Sequence, residues 1–111
     1  MYAICALDRV KPWRRFCEGF TEASGSVCRN ITEGFGRYDA GPLVQFFKYA
    51  LASLDEVEDY LRECRTRQFI DADRLAKDLN LAEHARATML NSKRYHESKP
   101  RQKPRRTSRG T

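Results

Sequence analysis

The chain lacks the residue patterns on which small catalytic and metal-binding domains are usually built. Its four cysteines are spread far apart, so no Cys-x-x-Cys pair is present; they are Cys5, Cys17, Cys28 and Cys64. Neither histidine follows a glutamate at a spacing of three, which excludes the Glu-x-x-His pairs of a di-iron helical bundle. We therefore expect no catalytic residue, no metal, no cofactor and no small-molecule substrate.

Long hydrophobic runs are also missing. No run approaches the roughly 18 residues that cross a bilayer, and the apolar start from Tyr2 to Leu7 is too short for a signal peptide and has no basic leader. Each cysteine lies at or beside an apolar position of a helical pattern, where a buried reduced thiol is expected rather than a disulfide. These features predict a cytoplasmic protein that does not enter a membrane.

Excess positive charge is confined to the C-terminal end. The formal net charge is +6, but Lys93 to Thr111 carry 8 basic residues against 1 acidic residue. The part before Lys93 is close to neutral, with 13 basic and 14 acidic residues. A polyanion would therefore be attracted by the tail and not by the body of the protein.

Residues 97–111 are predicted to form a disordered basic tail after a helical domain at residues 1–96. Their composition offers nothing to bury against a chain-entropy cost of roughly 1 to 2 kcal/mol per residue. Six tail cations are candidate nucleic-acid contacts: Lys99, Arg101, Lys103, Arg105, Arg106 and Arg109. The alternative is a solubilising or read-through extension without a partner. No aromatic residue follows Tyr95, so the tail is poorly supplied with groups that stack on unpaired bases.

Three helices are predicted from apolar spacing. The first starts at Pro12 and runs to about Phe35, where Gly34 and Gly36 are expected to adopt the left-handed conformation that ends helices. Its apolar stripe is Trp13, Phe16, Phe20, Ala23, Val27 and Ile31. The small residues Ser24, Gly25 and Ser26 interrupt this helix and would let a neighbouring helix approach closely.

The second predicted helix has the clearest period. Asp39 is a candidate N-cap and Pro42 lies in the first turn. The apolar residues that follow recur at strictly alternating spacings of four and three and form the seam of this helix: Leu43, Phe47, Ala50, Leu54, Val57, Leu61 and Cys64. The acidic residues between Asp55 and Asp59 are expected on its solvated side. Asp71 is predicted to cap a third helix with a thinner stripe: Leu75, Leu79, Ala82, Ala85 and Met89. The pattern predicts an all-α, antiparallel up-down bundle.

Asn30 and Glu33 stand one turn apart near the apolar stripe, directly before the Gly34-Phe35-Gly36 break. We interpret them as a structural polar pair, hydrogen-bonded to each other or to neighbouring backbone. A ligand or subunit-interface role is the second possibility. Catalysis is the third, and it lacks a nearby base.

Two blocks of the sequence resemble a known family. The first block consists of Gly25-Ser26, Asn30-Ile31 and Glu33-Gly34-Phe35-Gly36-Arg37. The second block is the run from Phe46-Phe47 to Asp55-Glu56. With them, the segment from about Phe16 to Tyr95 is similar to the four-helix-bundle proteins encoded in intervening sequences of bacterial 23S rRNA genes. Relatives of that family include the accessory variability protein of diversity-generating retroelements. The resemblance implies a homopentameric bundle and, for the retroelement branch, an association with nucleic acid.

The family has a full helix before the one that starts near Pro12, whereas only Met1 to about Arg9 is available for it here. We expect a shortened first helix of one or two turns, which would leave apolar surface for a neighbour to cover. A start codon assigned too late, a decayed gene or a gap filled by another subunit would each explain it. The predicted function is a non-enzymatic scaffold or accessory protein that associates with DNA or RNA. The alternative is a protein-interaction module, either functional or vestigial, whose shortened bundle is completed by another subunit or helix.

Overall fold

The computed structural model describes residues 2–37 and 40–98, and for Tyr2, Ala40 and residues 96–98 it describes the backbone alone. Four helices follow in order: α1 (Tyr2–Cys5), α2 (Arg14–Phe35), α3 (Ala40–Thr66) and α4 (Ala72–Ser98). The described ranges contain no strand, so the all-α prediction is confirmed. The tail residues 99–111 and the candidate cap Asp39 lie outside the described residues.

α3 is the central helix of the bundle. It packs along both α2 and α4, whereas α2 and α4 make few contacts with each other. Neighbouring helices run antiparallel, because Gly19 near the start of α2 lies against Tyr60 near the end of α3, and Gly34 near the end of α2 lies against Phe47. The result is an elongated arrangement with extents of 55 × 23 × 15 Å.

The predicted α3 seam forms the centre of the core. Every seam residue is buried, with exposed fractions between 0% and 6%. The flanking side chains Phe46, Leu51 and Tyr60 are half-buried, as expected for a helix that touches more than one neighbour. The strict spacing of the apolar residues therefore predicted this helix correctly.

The flanking helices bury less. On α2, Phe20 and Ala23 are buried and Val27 and Ile31 are half-buried, whereas Trp13 remains 49% exposed. On α4, Ala82 and Met89 are buried, and the other stripe residues are half-buried. This agrees with the thinner stripe predicted for α4.

The segment before α2 closes one end of the bundle. α1 is a single turn, which confirms the expected brevity of the first helix. Ile4 and Val10, each 0% exposed, belong to the same core cluster as Phe69. Arg9 donates from Nη2 to the backbone oxygen of Phe69 at 2.7 Å, which ties this segment to the turn after α3.

The prediction of left-handed Gly34 and Gly36 is wrong. Gly36 has φ −78° and its N–H still bonds to the carbonyls of Thr32 and Glu33, so the last turn of α2 stays right-handed. Gly34 lies inside the helix, where an added Cβ would come within 3.1 Å of the Phe47 ring. The absence of a side chain at Gly34 makes room for α3, and it does not serve a turn of the backbone.

Two details of α2 also differ from prediction. The helix begins at Arg14, two residues after Pro12, which lies in the preceding turn. Gly25 is not the point of closest helix approach, because an added Cβ there would meet only the flexible side chain of Arg29. The close approaches are at Gly19 and Gly34.

The turn between α3 and α4 carries two helix-capping arrangements. Gln68 has φ 63°, the left-handed conformation, and no other described non-glycine residue has a positive φ. Around it, Phe69 N–H bonds to the Cys64 carbonyl at 2.8 Å and Gln68 N–H to the Arg65 carbonyl at 3.0 Å, the pair of bonds that defines a Schellman motif. Asp71 Oδ1 then accepts from the Arg74 N–H at 2.8 Å, which confirms the predicted N-cap of α4.

Gln68→Gly should stabilise the protein. A residue with a Cβ is strained by about 1 to 2 kcal/mol in the left-handed conformation, and glycine removes this strain. The greater conformational entropy of glycine in the unfolded chain offsets about half of that gain. We expect the free energy of unfolding to rise by about 0.5 to 1 kcal/mol, measured in urea or thermal melts. Gln68→Ala is the control and should give no comparable gain, because alanine keeps the Cβ. Equal stability of the glycine and alanine variants would contradict the expected strain.

Candidate functional site

The two sequence blocks meet at the interface between α2 and α3. Asn30 donates from Nδ2 to the backbone oxygen of Ser26 at 2.8 Å and lies 3.1 Å from its hydroxyl. The Ser26 hydroxyl in turn lies 2.7 Å from the Ser53 hydroxyl of α3. Asn30, Ser26 and Ser53 thus form one polar chain across the two helices, and it satisfies side chains that the packing partly buries.

Glu33 does not share this chain. Its carboxylate is exposed and pairs with Arg37 Nη2 at 2.7 Å, and the Arg37 guanidinium also lies over the Phe46 ring, 5.1 Å from its centroid. Asn30 and Glu33 therefore have separate partners. The structure places Asn30 within α2 beside the Ser26–Ser53 contact with α3, and Glu33 at the exposed end of α2.

The acidic cluster between Asp55 and Asp59 is not wholly solvated, so that expectation is wrong for one member. Glu58 is only 7% exposed and accepts from Arg86 of α4 at 2.5 Å. Asp55 accepts from the same guanidinium at 2.8 Å and Glu83 lies 3.4 Å from its Nε. Because α4 packs on this side of α3, Glu58 faces a helix, whereas Asp55, Glu56 and Asp59 remain exposed.

Arg86 is held as a cation between these carboxylates. Burial disfavours its charge, but the hydrogen bond to Asp55 and the attraction of Glu58 and Asp55 outweigh burial and raise its pKa. A guanidinium that is always charged cannot act as an acid or base near neutral pH. The cluster therefore joins α3 to α4.

Three thiols sit near the closed end of the bundle. Burial, a hydrogen bond with Cys17 and the nearby thiols raise the pKa of Cys5 to about 12, and burial raises that of Cys64 to about 11. Cys17 contacts the backbone oxygen of Val10 at 3.6 Å. Thiols with raised pKa values are poor nucleophiles, since the thiolate is the reactive form. All four cysteines are free, and Cys28 is exposed because it lies on the outer side of α2, so the expected burial is wrong for it.

The described residues contain no group of three or more His, Cys, Asp or Glu placed to hold a metal ion. In the same part of the chain, no helix is both long and apolar enough to cross a membrane. The six candidate tail cations, from Lys99 to Arg109, lie outside the described residues, so the structure does not place them relative to the bundle.

An aromatic and basic surface at the end of the bundle was not predicted from the sequence. It contains Trp13, which is 49% exposed, and an open concavity of about 410 Å³ next to it. The concavity is lined by Arg9, Arg65, Gln68, Phe69, Ile70 and Asp71. The Trp13-Arg14-Arg15 and Arg65-Thr66-Arg67 runs were the available signals, but each reads in isolation as an ordinary helix end.

These features define the class of protein: an antiparallel bundle of long helices whose recurring sequence blocks form the α2–α3 interface. The family described as 23S rRNA-intervening sequence protein matches residues 14–92, which is more than half of the chain. The chain belongs to this family, and the resemblance noted from the two blocks is confirmed. No curated protein and no solved structure shows a significant match to the chain.

The thiols should differ sharply in reactivity. With a disulfide reagent at mildly alkaline pH, Cys28 should react first, while Cys5 and Cys64 should react slowly because burial keeps them protonated. Cys28→Ser should remove the fast phase, whereas Cys64→Ser should leave it intact. Unfolding in urea should make all thiols react quickly. A fast phase that survives in Cys28→Ser would contradict this assignment.

Proposed function

We propose that this protein is a non-enzymatic helical-bundle scaffold or accessory protein that associates with DNA or RNA through its basic tail. The distribution of charge carries the proposal: 8 of the 21 basic residues fall between Lys93 and Thr111, against 1 acidic residue. Cations release counterions from a phosphate backbone, and this requires charge density rather than a fixed structure.

The proposal includes self-association of the bundle. Five large apolar side chains of the described part are exposed by about half or more: Trp13, Phe35, Tyr49, Leu81 and Tyr95. The few contacts between α2 and α4 leave the two flanking helices with sides that no third helix covers. A homo-oligomer would cover such surface and would bring several tails together, which raises their effective concentration on one strand. The family resemblance favours a pentamer.

The second candidate is a protein-interaction module. The same exposed apolar side chains favour it, because another polypeptide's helix would cover them equally well. In that case the tail would serve solubility alone.

Neutralising the tail should weaken nucleic-acid binding. Arg105→Gln with Arg106→Gln removes two cations from the tail, and Lys48→Gln with Lys77→Gln removes two exposed cations from the bundle as a matched control. If about five tail cations meet phosphates, log K on a duplex should fall with log salt at a slope of about −4 to −5, and the tail variant should reduce that slope by about 2. Fluorescence anisotropy with labelled DNA and RNA at several salt concentrations measures both. Equal loss in the two variants would contradict a tail site, and the absence of binding by every form would favour the interaction module.

The protein should not be a monomer. Light scattering coupled to size exclusion should report a mass that is a multiple of 12.9 kDa at micromolar concentration. Leu81→Glu places a charge on the exposed apolar side of α4 and should shift the mass downward, while Glu83→Leu on the same helix should not. A monomer that unfolds cooperatively would contradict self-association.

A further inference from the structure

Trp13 sits in an unusual environment at the end of the bundle. About half of its surface is exposed, yet two neighbouring side chains contact the ring. The Arg67 guanidinium lies 4.8 Å from the ring centroid, and the Phe69 ring lies 6.0 Å away at a tilt of 56°. An indole ring that is held in place and still open to solvent is what a stacking platform for another flat ring requires.

Other cations lie at the same end of the bundle as this ring, and several of them have no carboxylate partner. Among the described residues, Arg14, Arg15 and Arg65 form no ion pair. Arg9 and Arg65 both line the concavity next to Phe69, and the bond from Arg9 to the Phe69 backbone oxygen orients its guanidinium. The ring and the uncompensated guanidinium groups therefore occur at one end of the bundle.

Three of the carboxylates at this end have partners of their own. Asp8 lies 3.6 Å from Lys11, Glu63 pairs with Arg67 at 2.8 Å, and Asp71 caps α4 through the Arg74 N–H. The near-neutral charge of the body before Lys93 therefore hides a local positive region. Overall charge alone would not have located it.

We propose that this end surface, formed by Arg9, Trp13, Arg14, Arg15, Arg65 and Arg67, binds a single-stranded nucleic acid, with an unpaired base stacked on Trp13 and phosphates beside the arginines. Single strands fit the surface because a duplex keeps its bases stacked on each other and unavailable to an exposed ring. The inference rests on the proposed association with nucleic acid, but it places a contact on the folded bundle that the tail, without aromatic residues, cannot supply.

Trp13 reports directly on this contact, because it is the single tryptophan of the chain. Adding a short oligothymidylate or oligouridylate to the full chain should quench its fluorescence, and a duplex of equal length should quench it much less. The quenching should persist in the Arg105→Gln/Arg106→Gln protein, since the base contact does not involve the tail.

Substitutions then test the energetics. Trp13→Ala should weaken single-strand binding by about 5- to 150-fold, the range that corresponds to the loss of one aromatic–base stack. Tyr49→Ala is the matched control, because Tyr49 is also 49% exposed and packs on one neighbouring ring, Phe46. Trp13→Phe should retain most of the affinity. Arg14→Gln with Arg15→Gln should weaken binding more than Lys48→Gln with Lys77→Gln, and circular dichroism melts confirm that each variant is folded.

The outcomes separate this inference from the proposed function. Tight binding without quenching, and with equal affinity for the Trp13→Ala and Tyr49→Ala proteins, would overturn the end surface and leave the tail as the site. Quenching that is lost in Trp13→Ala, together with preserved binding after tail neutralisation, would support the end surface. If no form binds either strand type, both the end surface and the nucleic-acid function are wrong.

Discussion

The burial of α3 between two helices is the constraint on which the rest of the structure depends. A side chain such as Phe47, Leu54 or Leu61 gains about 1.5 to 3 kcal/mol when it is fully removed from water, and α3 removes a whole seam of them. The two sides of α3 pack against their neighbouring helices in different ways. Toward α2 the helices approach closely at Gly19 and Gly34, and toward α4 the contact is completed by the long side chain of Arg86.

Features that depend on one segment alone were predictable from the sequence, and features that depend on two segments were not. The α3 seam follows from spacing within one helix, and the Asp71 cap follows from residues three positions apart. Glu58 was assigned to water because the sequence of α3 does not reveal that Arg86 faces it. Gly36 is an exception, because its conformation is local to one segment and was still predicted wrongly. A left-handed turn was assigned to it from its residue type, whereas Gln68 after the next helix has that conformation.

The candidate site shows the same division. The sequence blocks identified the family, and their polar residues Asn30, Ser26 and Ser53 hold α2 to α3. Their chemistry is that of a helix interface, which explains why they indicate an architecture better than a reaction. The exposed ring of Trp13 acquires Arg67 as a neighbour only when the end of α3 folds back beside it, so the Trp13-Arg14-Arg15 run alone could not indicate that surface.

Because α2 and α4 make few contacts with each other, most contacts between helices in this chain join helices that follow one another in sequence. Each helix depends mainly on the helix next to it in sequence, as successive repeats do in a solenoid. Contacts between sequence neighbours require little loop closure, which is the topology associated with rapid folding. It also means that opening can spread inward from either flank, with α3 the last helix to lose its partners. Helix pairs, and not the whole domain, are then the natural cooperative units of this protein.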